Sequence, residues 1–139
     1  MPQWLRSVLA ILAGFFFIGL LSVGTDGIIR GLYPSAFGAD SGTSNTAILV
    51  GSTIYVGIYA IIGCWLCAAL AGRRPMLHAL ILGLLGLALN VAGVARMLHL
   101  FPTWYAVASV LLTMPYAWIG GKLRERQLER RAVAAPVAA

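Results

Sequence analysis

The chain has 139 residues, of which 60% are hydrophobic and 10% charged, with a mean hydropathy of +0.90 and a formal charge of +6. These proportions exclude an ordinary soluble domain and point to an all-α integral membrane protein. The positive charge does not imply a nucleic-acid partner, because half of the ten Lys and Arg residues lie in one short segment after the last apolar run and no soluble domain displays a groove surface.

Four apolar runs follow one another, each of about 20 residues or more, enough to cross roughly 30 Å of hydrocarbon as a helix. The first, Trp4 to Val23, is too long for a secretory core and lacks a small-residue cleavage site. It predicts a retained helix over about 4–24, with polar character returning at Gly24-Thr25-Asp26-Gly27 and Arg30. The Ser/Gly/Asp/Asn-rich stretch from Pro34 to Thr46 predicts a loop, with Thr43 or Ser44 suited to cap the second helix, over 46–71. Gly72-Arg73-Arg74-Pro75 predicts a tight turn, glycine closing one helix and proline opening the next. A third helix is expected over 75–100 and a fourth over 103–121, giving one transmembrane domain, 1–121, built of two helical hairpins. The tail 122–139 is expected to begin as helix, with Lys122–Glu125 and Arg126–Glu129 spaced to pair, and its last eight residues, AVAAPVAA, to fray.

Positive charge sets the expected orientation. Arg6, Arg73, Arg74, Lys122, Arg124, Arg126, Arg130 and Arg131 share one side, and only Arg30 and Arg96 fall near the other. Both ends are therefore expected in the cytoplasm and the 34–46 loop outside, with Trp104, Tyr105 and Tyr33 at an outer aromatic belt. The basic residues of the turn and tail are expected to meet anionic lipid headgroups, at about 1 kcal/mol each near the surface.

The two cysteines stand in Gly63-Cys64-Trp65-Leu66-Cys67, the spacing of a dithiol redox pair. The cytoplasmic half of a helix is a poor place for one: Cys67 lies about 9 Å before Arg73, in a reducing compartment, with no helix amino end or adjacent cation to stabilise a thiolate. Onward electron transfer would need further cysteines, and the sequence has two. Packing accounts for more, because Gly63, Cys67 and Ala71 recur at intervals of four, as do Cys64, Ala68 and Gly72, and small residues so spaced let helices approach closely in lipid.

Helix three carries a second such face, Ala79, Gly83, Gly86, Asn90, Gly93 and Met97. Asn90 falls near mid-membrane, where an unpaired amide is costly, so it requires a partner inside the bundle. Ser52, Thr53, Tyr55, Tyr59, Thr113 and the Leu111 carbonyl, deprived of its usual donor by Pro115, are the candidates. At the outer end Asp26, Arg30, Arg96 and His99 form a candidate polar mouth. His78 and His99, separated by about 31 Å of helix, cannot share a metal ion, and no metal, cofactor or catalytic motif is present, so no cofactor and no enzyme activity are expected.

The segments SVGTDGIIRG, RRPMLHALILGLLG and MPYAWIGGKLRE resemble those of small four-helix bacterial inner-membrane proteins. The resemblance implies that topology and that membrane, and no activity. The leading functional expectation is a non-enzymatic accessory or assembly subunit of a larger membrane complex, such as one of energy conversion, or a self-associating protein. An oligomeric passage for a small solute or ion is the alternative, and a quinone-linked thiol oxidoreductase the third.

Overall fold

The computed structural model describes residues 2–134. It is all-helical, with 86% of residues in helix and no strand among those described. The four helices are α1 (Gln3–Leu32), α2 (Thr46–Ala71), α3 (Pro75–Met97) and α4 (Thr103–Ala134), and a single 3-10 turn, Pro34–Ala36, follows α1. All four are long and apolar enough to cross a membrane.

Two helix ends differ from the sequence-based expectation, each for a local reason. α1 runs through Gly24–Gly27 to Leu32 because Thr25 and Asp26 do not turn their side chains on their own backbone, the usual way such residues break a helix. Thr25 Oγ1 instead meets the Tyr59 hydroxyl at 3.0 Å, and Asp26 accepts a hydrogen bond from Tyr55, both on α2. α3 stops at Met97 rather than 100: Leu100 N donates to the Met97 carbonyl, and the Leu100 carbonyl is taken by Thr43 N of the facing loop at 3.2 Å. α4 continues unbroken past 121 to Ala134, through Pro115 and along the charged tail. Lys122–Glu125 forms an ion pair at 3.1 Å, and Arg124 donates to Gln127 Oε1 at 2.6 Å. Lys122–Glu125 is the one ion pair among the described residues, so the expected Arg126–Glu129 pair is not made. Residues 135–139 of the terminal segment expected to fray lie outside those described.

The cap of α2 is Asn45, one residue after the expected candidates, its Oδ1 accepting from Ala47 N and Ile48 N. Thr43 is buried and serves the loop, donating to the Ala36 carbonyl at 2.7 Å and accepting from Asn45 N. Gly42 lies so near the Leu100 carbonyl that a Cβ there would stand 2.6 Å from it, so the two connections at this end are pressed together. At the other end Gly72 closes α2 at φ +77, Arg74 takes φ +48, and Pro75 opens α3. Arg6 Nε donates to the Leu70 carbonyl at 2.8 Å, so α1 supplies a cation and a donor to the last turn of α2, where carbonyls lack helical partners.

α2 is the central element, packed on α1, α3 and α4, while α1 and α4 do not meet. The core is made of small side chains and sits near the Gly72–Pro75 turn: Ala10, Cys64, Cys67, Ala71, Ala79 and Ala117 are buried there, with Leu82. A core of this kind brings backbones together, which is how helices associate where lipid removes the hydrophobic drive. The close packing is concentrated at the turn end, where an open hollow of about 380 Å³ beside Arg73, Arg74 and His78 borders it.

Candidate functional site

Asn90 on α3 binds α4 through two residues one helical turn apart. Its Nδ2 donates to the Ser109 carbonyl and to Thr113 Oγ1, each at 3.1 Å, and its Oδ1 accepts from Ser109 Oγ at 3.3 Å. Thr113 was among the partners anticipated for it. Ser109 was not, and neither the helix-two hydroxyls nor the Leu111 carbonyl takes part. The reason is geometric: Ser109 and Thr113, four apart on α4, present a carbonyl and a hydroxyl on one stripe facing α3. A carbonyl only accepts, so the amide orientation is determined, with nitrogen toward Ser109 O.

Beside this centre lies a cavity of about 170 Å³ between α2, α3 and α4, lined by Ser52, Thr53, Cys64, Gly86, Asn90, Tyr105, Ser109, Thr113 and Tyr116 together with apolar side chains. Among the described residues, no charged side chain lines it. A second hollow of about 260 Å³ continues from Asn90 toward the loop end past Gly93, Met97 and Phe101. A third, of about 70 Å³, holds Asp26, Arg30 and Tyr55. Tyr105 lines all three. Expected at an outer aromatic belt beside Trp104, it instead turns into the bundle, since neighbouring helical residues point about 100° apart and Trp104 takes the exposed direction.

The cavity ends where the bundle closes toward the turn. A Cβ on Gly120 would stand 2.6 Å from the Ile61 carbonyl and 2.7 Å from Cys64 Cβ. One on Gly63 would strike Ile18, and one on Gly83 would strike Ala117 Cβ. Gly63, Cys67, Ala71 and Gly83 are thus at close contacts or in the core. The other two glycines expected to pack behave differently. Gly86 has only Thr113 Cγ2 near it, at 3.9 Å, and Gly93 has nothing within 4 Å, because α3 and α4 separate toward the loop end and leave these positions bordering cavities.

The four candidates for an outer polar mouth do not assemble. Asp26 is bonded to Tyr55, while Arg30 lies over the Phe37 ring at 5.5 Å from its centroid, a cation–π contact. These two share a hollow. Arg96 is exposed and lines neither that hollow nor the larger cavities, and His99 borders the 34–46 loop. His99 falls beyond the end of α3, and Arg96, in the last turn of that helix, is exposed rather than turned into the bundle.

At the turn end Cys64 and Cys67 are free thiols, 2% and 0% exposed, and Cys67 Sγ lies 3.6 Å from the His78 carbonyl. His78 bridges helices, its Nδ1 at 3.1 Å from the Arg74 carbonyl and its Nε2 at 2.9 Å from Ser7 Oγ. Arg73 donates to Gln3 Oε1 at 3.3 Å, and Arg74, Arg126, Arg130 and Arg131 are exposed. No group of three or more His, Cys, Asp or Glu able to hold a metal ion occurs among the described residues.

Two sets of residues carried signals that the sequence pattern masks. Ser109 and Tyr105 stand out only once α4 is docked. Gly24, Gly27 and Gly31 resemble loop punctuation in the sequence, but they lie on a helix. Comparison of this chain with protein-family models, with curated proteins and with solved structures finds no match in any of the three.

Proposed function

We propose that the chain is a non-enzymatic integral protein of a bacterial inner membrane, acting as an accessory or assembly subunit packed against a larger membrane complex. The observation that carries this reading is the outward face of α1. Thr25 and Asp26 bind α2. At 100° per residue Gly24, Gly27 and Gly31 fall on the opposite side of the helix, where a Cβ on any of them would meet nothing within 4 Å. An unpacked helical glycine costs roughly 0.5–1 kcal/mol relative to alanine, and in lipid the offset comes from a second helix whose backbone the missing side chains admit. Exposed Leu20, Val23 and Ile28 flank the glycines and supply the apolar rim of such a contact.

The distribution of Lys and Arg supports cytoplasmic ends and an external 34–46 loop, with Arg73, Arg74, Lys122, Arg124, Arg126, Arg130 and Arg131 at anionic headgroups. The passage reading has less support: Arg96 and His99 stand apart from Asp26 and Arg30, and tight contacts at Gly63, Gly83 and Gly120 close the turn-end half. The thiol reading has less again, with both cysteines inside the packed core.

The test is purification of the tagged chain from its native membrane in mild detergent, read by native mass spectrometry and a visible absorption spectrum. The expected result is a larger assembly from which Gly27→Leu is lost. A monodisperse species of this chain alone, unchanged by Gly27→Leu, refutes the subunit reading.

A further inference from the structure

At the turn end α1 and α3 meet through Ser7 and His78, and the hollow of about 380 Å³ beside them is lined by Gln3, Trp4 and Ser7 of α1, by Ala71, and by Arg73, Arg74 and His78. Arg73 donates to Gln3 Oε1, a neutral oxygen. Among the described residues Lys122–Glu125 is the one ion pair, so neither arginine has a carboxylate partner there. None of the four acidic residues of the chain lines the hollow. No side chain caps α3, which begins at Pro75 beside it, so the positive end of that helix adds to the field. His78 fixes the wall: its Nδ1 donates to the Arg74 carbonyl, which can only accept, and its Nε2 meets Ser7 Oγ, tying the turn to α1. Arg74 holds φ +48, a conformation that glycine takes without penalty, yet a cation stands at this position.

We propose that this hollow is a binding site for one anionic phospholipid, its phosphate held by Arg73 and Arg74 and its acyl chains lying along the groove between α1 and α3. Three features select that class. Phosphate oxygens match the forked donors of a guanidinium, and two guanidiniums line the hollow. The ammonium of a zwitterionic headgroup would meet two cations and no carboxylate, so the lipid carries a net negative charge. The third feature is apolar and separates a lipid from a free phosphate. Two chain reversals leave α1 and α3 running in the same direction away from the turn. At 100° per residue Trp4 and Val8 on α1, and Leu77 and Ile81 on α3, fall to the same side of the Ser7–His78 contact. All four are exposed, and Val8 and Ile81 lie one helical turn deeper than Trp4 and Leu77. Acyl chains descending from the hollow therefore meet an apolar wall on each side, with Trp4 at the interfacial level that suits its ring; a soluble phosphate would use none of it. Such a site rests on the headgroup placement proposed for this end of the bundle and is independent of any partner on α1.

Titration of the full chain in mild detergent, read by native mass spectrometry, tests the site with dioleoyl phosphatidylglycerol as the probe. Dioleoyl phosphatidylcholine is the zwitterionic control and glycerol phosphate the soluble one. The expected result is a single phosphatidylglycerol retained about tenfold more tightly than phosphatidylcholine, with glycerol phosphate neither binding nor displacing it at equal concentration. Arg73→Gln combined with Arg74→Gln weakens retention by about twentyfold, the product of roughly fivefold for each arginine. The charge-matched pair Arg126→Gln with Arg130→Gln lies outside the hollow and changes retention by less than about twofold. Arg74→Gly relieves the backbone at φ +48, so the fold is kept, and weakens retention by about fivefold. Equal retention of phosphatidylcholine overturns the proposal, and so does equally tight binding of glycerol phosphate, which marks a site for a soluble phosphate. Equal weakening by the two charge-matched pairs overturns it while leaving the headgroup placement standing, and weakening by neither removes both.

Discussion

Replacing Gly120 by alanine should separate α4 from α2 and destabilise the bundle. The added methyl would stand 2.6 Å from the Ile61 carbonyl oxygen, 2.7 Å from Cys64 Cβ and 3.0 Å from the Trp65 amide nitrogen. Two of these atoms belong to the backbone of α2 and cannot rotate aside. Heavy atoms rest at about 3.5–4.0 Å, so α4 has to retreat by about 1 Å, and a gap of that size forfeits up to about half of each dispersion contact it opens. Overpacking of this kind costs about 1–3 kcal/mol. The upper part of that range is expected, because the same retreat draws Ala117 off Gly83, and Gly121 off Ala79 and Met76. The assay is titration of the folded protein in mixed micelles with sodium dodecyl sulfate, followed by tryptophan fluorescence, since Trp65 adjoins the contact. Gly19→Ala is the control, having nothing within 4 Å of its added methyl, and it should lose no stability. If the Gly120→Ala midpoint coincides with that of the control, the close α2–α4 approach and the sealing of the turn-end half are both refuted.

Three other outcomes follow from the hydrogen bonds between helices. Asn90→Ala should cost about 1–2 kcal/mol in the same titration, at the upper end for intramembrane hydrogen bonds because two donors are lost together. A double-mutant cycle with Thr113→Val should show coupling, and strict additivity would mean that the pair is idle. Tyr55→Phe removes the donor to Asp26 and should cost about 1–2 kcal/mol, whereas Asp26→Asn keeps an acceptor and should cost less; the reverse ranking would contradict the tie between α1 and α2. Arg6→Ala should leave global stability nearly unchanged, within about 1 kcal/mol, yet speed hydrogen exchange over residues 69–72, because its bond to the Leu70 carbonyl caps only the last turn of α2. Unchanged exchange there would refute the cap.

The sequence by itself determined the class and the count of helices. Four apolar runs of membrane-spanning length, separated by Pro34–Thr46, Gly72–Pro75 and Phe101-Pro102, need no tertiary information, because in lipid each span must satisfy its backbone internally and helix is the available solution for such runs. The Gly72–Pro75 turn was equally legible, since positive φ and a first-turn proline are local demands. Tertiary structure decided where helices end and which small residues pack. Whether Thr25 and Asp26 break α1 depended on Tyr59 and Tyr55 lying opposite, and no local pattern contains those tyrosines. Gly83 and Gly93 stand in the same periodic face, yet one is pressed on Ala117 and the other borders open space, because α3 and α4 diverge along their length. A repeat of small residues records that a close approach is permitted, and the crossing of the helices decides where along the repeat it occurs.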